Sequence, residues 1–165
     1  MAFSGGMDST SLLLHLLNKN FSIYTISFNY GQKHVLELEK ASANIKYLTN
    51  KGINTLDLGT KNSNSVDYPD FAHLLAKKMK TKNNIGILVC GSGIGMSMAA
   101  NRHKYIRAAL CHSIKSAKLS RMHNNANVIA IGSRLTKKDL ALKCINTFLK
   151  TPFDGGRHLR RVKKI

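Results

Sequence analysis

Leu88-Val89-Cys90-Gly91-Ser92-Gly93-Ile94-Gly95-Met96-Ser97 decides how this chain folds. Ile85 to Val89 is a short apolar run, and strands of that length without polar alternation are buried on both faces. Three alternating glycines then turn the chain into a helix. The junction of a strand end with a helix start is where α/β proteins bind ligands. Glycines there let backbone N–H groups approach an anion. Cys90 stands at the mouth of this turn, where a thiolate can move a proton. The other reading is a tight strand-to-helix turn around a buried core cysteine.

Working outward, strands and helices alternate. Residues 22–28 and 53–58 read as strands, as do 106–111 and 128–131, from their β-branched and apolar runs. Helices are expected over 8–19 and over 35–51, the second stopped by Gly52. Asp67 is the expected N-cap of a helix reaching about Met79, with Pro69 in its first turn. A helix over 113–122 and a last one over 137–149, capped by Thr136 with Leu140, Leu142, Ile145 and Phe148 inward, complete the pattern. This alternation predicts an α/β fold: a three-layer, doubly wound, Rossmann-like parallel sheet of five or six strands.

Composition limits the function classes. The 165 residues suffice for one domain with a real core, and 43% hydrophobic content with two prolines excludes a disordered chain. The formal charge of +18 admits nucleic acid, a membrane surface or a phosphorylated substrate. The lysines are scattered, however, and only Arg157 to Lys164 is densely basic, with no aromatic stripe or zinc-finger spacing. Nucleic acid is therefore not the expected partner. Cys90, Cys111 and Cys144 show neither metal-ligand pairing nor a disulfide framework, which suits a reducing, cytoplasmic setting. No apolar stretch reaches the roughly 18 residues of a membrane helix, and no secretory signal is read at the start.

From about Gly52 onward the sequence resembles the ribose-5-phosphate isomerase B family and its galactose-6-phosphate isomerase relatives. The resemblance is carried by Asp57 to Thr60, Ser65 to Asp70, Cys90 to Gly95, Ala99 to Asn101, Ile106 to Cys111, Leu119 to Val128 and Gly155 to Val162. It implies an aldose–ketose isomerase of sugar phosphates, working through an enediolate without a cofactor or metal. It also implies a homodimer in which two subunits share each active site. By the same resemblance Cys90 is the base, and Gly91, Ser92, Gly93, Ile94 and Gly95 supply donors to the enediolate. His123 opens the sugar ring, Asn124 bonds substrate, Arg157 and Arg161 hold the phosphate, and Tyr68 lines the pocket. Arg157 and Arg161, four apart, share one face if the tail is helical. The plain alternatives are a solvent-facing histidine at a helix end for His123, a solvated basic tail for the arginines and a structural role for Tyr68.

Residues 1 to about 50 resemble a different family, the PP-loop ATP pyrophosphatases, and within it the cyano-deazaguanine synthases of queuosine biosynthesis. Ser4-Gly5-Gly6-Met7-Asp8-Ser9-Thr10 and Ser27 to His34 carry that likeness. Ser4, Gly5, Gly6, Asp8 and Ser9 form either a remnant ATP-binding loop or a leftover turn. The isomerase family opens with a strand and Ser-Asp-His-Ala-Gly, which this chain lacks. Counting back from Gly59-Thr60 by the family's spacing lands at His34-Val35. The expectation is that residues 1–51 form a β-α-β-α segment integrated into the sheet of the 52–165 region, giving one compact domain. Lys33 or His34 would then stand in for the missing sugar or phosphate contact. A catalytically impaired fusion that binds phosphates, or a PP-loop ATP-binding protein, are the alternative functions.

Overall fold

The structure is a computed structural model that describes residues 23–26, 55–60, 66–80 and 84–165. The expected helices over 8–19 and 35–51, the loop from Ser4 to Ser9, and Lys33 and His34 lie outside the described residues.

Five parallel strands form one sheet: β1 (Ile23–Ile26), β2 (Thr55–Asp57), β3 (Ile85–Cys90), β4 (Ala108–Leu110) and β5 (Val128–Gly132), in the order β2-β1-β3-β5-β4. The helices are α1 (Tyr68–Met79), α2 (Ile94–Ala100), α3 (Ile114–Asn124), α4 (Lys138–Lys150) and α5 (Gly156–Val162). Strand β1 lies inside the sheet: Ile23 pairs with Thr55 on one side and with Ile85 on the other. The strand drawn from the N-terminal segment thus fills a slot flanked by two strands of the remaining chain.

The period-two alternation of β3 and β5 builds two cores. Ile85, Ile87, Val89, Ile129 and Ile131 face α3 and α4, meeting Ala117, Cys144, Ile145 and Phe148. Leu88, Cys90, Val128 and Ala130 face the other way, onto Ala72, Leu75, Ala76, Met79, Met96 and Ala100 of α1 and α2. A sheet covered on both faces explains why every residue of β3 and β5 is buried. Phe148, wholly buried, anchors the first core; truncating such a side chain costs about 3–5 kcal/mol.

Local chemistry corrects several sequence expectations. Thr136 does not cap α4. That helix has Lys137 at its N-cap position with no side-chain cap bond. The Thr136 amide instead bonds back to the Gly132 carbonyl at 2.9 Å, tying this residue to the turn that closes β5. Its side chain is buried, with no hydrogen-bond partner for the hydroxyl. Asp67 does occupy the N-cap position of α1, but its carboxylate makes no cap bond. Helix α3 is capped by a reciprocal Ser113–Ser116 box, which the sequence reading did not anticipate. Strand β4 is shorter than the apolar run 106–111, whose ends Ile106 and Cys111 are buried beside it. Helix α4 is not the last, because the basic tail folds into α5.

Candidate active site

The turn after β3 is built around the sulfur of Cys90. The Gly93 amide donates to Cys90 Sγ at 3.1 Å, and the Ile94 amide donates to Ser92 Oγ at 3.3 Å. Gly93 reaches this geometry at φ +78, a left-handed conformation that side chains disfavour. A Cβ there would also sit 2.9 Å from the Gly132 nitrogen and from the Ile131 carbonyl carbon. Strand β5 holds the turn from the other side. The Ser133 amide donates to the Cys90 carbonyl at 2.8 Å, and the Arg134 amide donates to the Gly91 carbonyl at 3.0 Å. Above the turn lies a cavity of about 300 Å³, lined by Tyr68, Cys90, Gly91, Ser92, Gly95, Arg134 and Leu135. Gly95 lets Tyr68 approach, since any Cβ would collide with the Tyr68 hydroxyl and ring.

Cys90 differs from the other thiols by position. Cys111 and Cys144 are also buried, but inside the first core, and burial pushes both thiols up from their ordinary value. They pack as small hydrophobes.

A second cluster forms at the end of α3. Asn125 takes the left-handed C-cap conformation, φ 45, and its amide bonds the Arg121 carbonyl at 3.1 Å, so His123 and Asn124 lie in the last helical turn. Two half-buried arginines clamp this corner through backbone carbonyls. Arg107 Nε donates to the Asn125 carbonyl at 2.9 Å, and Arg121 bonds the carbonyls of Ala126 and Thr151. The His123 ring stacks on that of His158, with centroids 4.2 Å apart and planes 3° from parallel. Arg157 and Arg161 lie on α5 with His158. The His158 imidazole is held below its ordinary value, first by burial, then by His123, Arg157 and Arg161. Asn124 lines a separate cavity of about 500 Å³ with Arg107, Lys104 and Val162.

Within one chain these clusters do not meet. Cys90 pairs with Gly132 at the C-terminal edge of the sheet, whereas Gly86 pairs with Val128 at the opposite edge. Helix α3 returns the chain to the start of β5, so His123 belongs to that opposite edge. The four-residue step from Val128 to Gly132 alone spans about 13 Å. The Cys90 cavity accordingly contains none of His123, Asn124, Arg157 or Arg161.

Four lining or cluster residues were missed in the sequence reading. Arg134 and Leu135 join the Cys90 cavity from the end of β5, and a strand end was the available signal. Asp154 and His158 flank the expected arginine positions, yet only the fold brings them to His123.

A sequence-family profile described as Ribose/Galactose Isomerase matches residues 34–165. The chain belongs to the ribose/galactose isomerase family. The isomerase match begins ahead of residue 52 and overlaps a second profile, queuosine biosynthesis protein QueC, which matches residues 1–49. Among relatives, a probable ribose-5-phosphate isomerase B of Mycoplasma pneumoniae is 41% identical over 151 residues, covering 90% of this chain and 95% of that protein. Ribose-5-phosphate isomerase B of Escherichia coli is 40% identical over 122 residues, covering 73% of this chain and 82% of its own length. The solved structure of Mycoplasma genitalium ribose-5-phosphate isomerase B with bound ribulose-5-phosphate superposes with a TM-score of 0.73 at 42% identity, covering 88% of this chain and 93% of that one. The isomerase family fold is thus the Rossmann-like sheet described above. Among the described residues no helix is long and apolar enough to cross a membrane.

Proposed function

We propose that this chain interconverts an aldose phosphate and a ketose phosphate, ribose 5-phosphate and ribulose 5-phosphate or a close relative, as a homodimer with shared sites. The observation that carries the reading is the Cys90 turn: a cysteine at a sheet edge, facing a cavity, with an amide hydrogen aimed at its sulfur. It sits in a chain about 40% identical to ribose-5-phosphate isomerases along most of their length.

The chemistry follows from the residues. His123 moves the proton between ring oxygen and anomeric hydroxyl that opens the sugar. The Cys90 thiolate removes the proton from C2, giving an enediolate, and returns it to C1 while the hydroxyl proton shifts between O2 and O1. Backbone amides of Gly91 to Gly95 and the Ser92 hydroxyl stabilise the oxygen charge. Arg157 and Arg161 take the phosphate, and Asn124 and Tyr68 orient the sugar. Lys33 or His34 supplies a further contact in place of the family's absent Asp-His pair. Because His123 and Cys90 lie at opposite sheet edges, a second copy must bring its His123, Asn124 and α5 arginines to the Cys90 cavity.

The test is conversion of ribose 5-phosphate to ribulose 5-phosphate by the purified chain beside Cys90→Ala. Turnover that vanishes in the variant supports the reading. No turnover in a folded dimer, with hexose phosphates also rejected, favours the impaired fusion. The QueC match at residues 1–49 favours one second reading, nucleotide binding at Ser4 to Ser9. Equilibrium binding of ATP decides it: no ATP binding leaves the loop a structural remnant.

A further inference from the structure

We propose that His123, Asp154 and His158 form a binding site for a divalent transition cation of the zinc, cobalt or nickel type. One donor atom from each residue lies within 4.8 Å of the other two. The two imidazoles stack in parallel, 4.2 Å apart, so their in-plane nitrogen lone pairs meet on a common ion only once the rings turn out of the stack. Donors around a tetrahedral ion with bonds of about 2.0–2.2 Å stand roughly 3.3 Å apart. Closing that gap requires the two imidazoles to rotate about their side-chain torsions.

The scaffold under the cluster is firm. The Asp154 amide donates to the Met122 carbonyl at 3.1 Å, which fixes the connection before α5 against the end of α3. The His158 amide bonds the Gly155 carbonyl at 3.0 Å in the first turn of α5. Asp154 is exposed and His123 half-exposed, so an ion can enter from solvent, whereas His158 is largely covered.

Two nitrogens and one carboxylate oxygen select zinc-like ions over magnesium or calcium, which require more oxygen ligands. Arg157 and Arg161, on the same helix as His158, oppose a cation by their charge, an opposition that Asp154 offsets in part. Three protein ligands leave a coordination position for water or a sugar oxygen. An ion held here occupies His123, so it would inhibit isomerisation. That consequence rests on the role given to His123 above; the binding does not.

The experiment is a titration of cobalt(II) into the full chain, followed by its visible d–d absorption, with displacement by zinc and with magnesium as control. One cobalt per chain, displaced by zinc and ignored by magnesium, is expected. Asp154→Asn and His158→Gln should each weaken binding at least about tenfold while urea unfolding shows the chain still folded. Absence of stoichiometric cobalt binding overturns the site, as does binding unchanged in both variants. Asp154 is exposed, so its variant keeps the test decisive if His158→Gln unfolds. Zinc inhibition reversed by a chelator, and weakened in Asp154→Asn, would follow if the isomerase reading holds. If the chain proves inactive, the cobalt spectrum still decides the metal site.

Discussion

The amide of Gly93 donates to the Sγ of Cys90 across 3.1 Å, closing a three-residue loop on the sulfur. This bond ties the sulfur to the backbone conformation of one glycine. Removing the sulfur should abolish the proton transfer and leave the loop intact. Cys90→Ala is expected to lower kcat for ribose 5-phosphate by about 10²–10⁴-fold with little change in KM. Steady-state kinetics check it; a variant within a fewfold of the parent would remove Cys90 from the base role.

The glycines of the turn should separate by what an added Cβ meets. At Gly93 it meets backbone, at a positive φ, so Gly93→Ala should cost about 2 kcal/mol or more of stability. At Gly95 its three nearest neighbours are all atoms of the Tyr68 side chain, whose ring can swing away. Gly95→Ala should therefore change stability by less than about 1 kcal/mol and raise KM by displacing Tyr68 from the cavity. Urea unfolding and kinetics on the two variants read both effects.

The separation of Cys90 from His123 makes a prediction about dimers. Cys90→Ala and His123→Ala should each be inactive alone. Unfolded together and refolded as an equal mixture, half of the dimers are mixed, and each mixed dimer has one intact site. About a quarter of parental activity should return. A mixture as inactive as its components would show that each site draws on one chain.

Two histidines set a pH dependence. His158 and His103 are both held below their ordinary value of 6.5, burial being the first cause in each; His103 also faces His73, at 2.8 Å, and Lys77. With folded values depressed, the unfolded chain binds more protons as pH falls below about 6.5, so stability is full above that pH and declines through the folded values. The urea midpoint should fall between pH 7.5 and 5.5, and His103→Gln should flatten that fall. An unchanged slope in this variant would exclude His103 as a contributor.

Thr136 carries a buried hydroxyl with no hydrogen-bond partner. Thr136→Val keeps the shape and removes the unsatisfied group, so it should stabilise by about 1 kcal/mol, read from the denaturation midpoint. Destabilisation would point to a hydrogen bond made by this hydroxyl in solution.

The apolar run into Cys90, the glycine turn and the alternating periodicities made the parallel sheet legible, because burial on two faces leaves its mark on every residue of a central strand. The cap of α4 was misread because Thr136 has the right chemistry in the right place. The turn closing β5 ties its amide to the Gly132 carbonyl and buries its hydroxyl, leaving Lys137 at the N-cap position. The sequence by itself determined the candidate groups, since Cys90, Ser92, His123, Arg157 and Arg161 stand in the motifs that carry the family resemblance. Only the tertiary structure decided where those groups go. The reversal of direction in each βα unit sends Cys90 to one edge of the sheet and His123 to the other. The packing of α5 against α3 stacks His158 on His123. Linear spacing records neither fact, because both depend on how the helices return across the sheet.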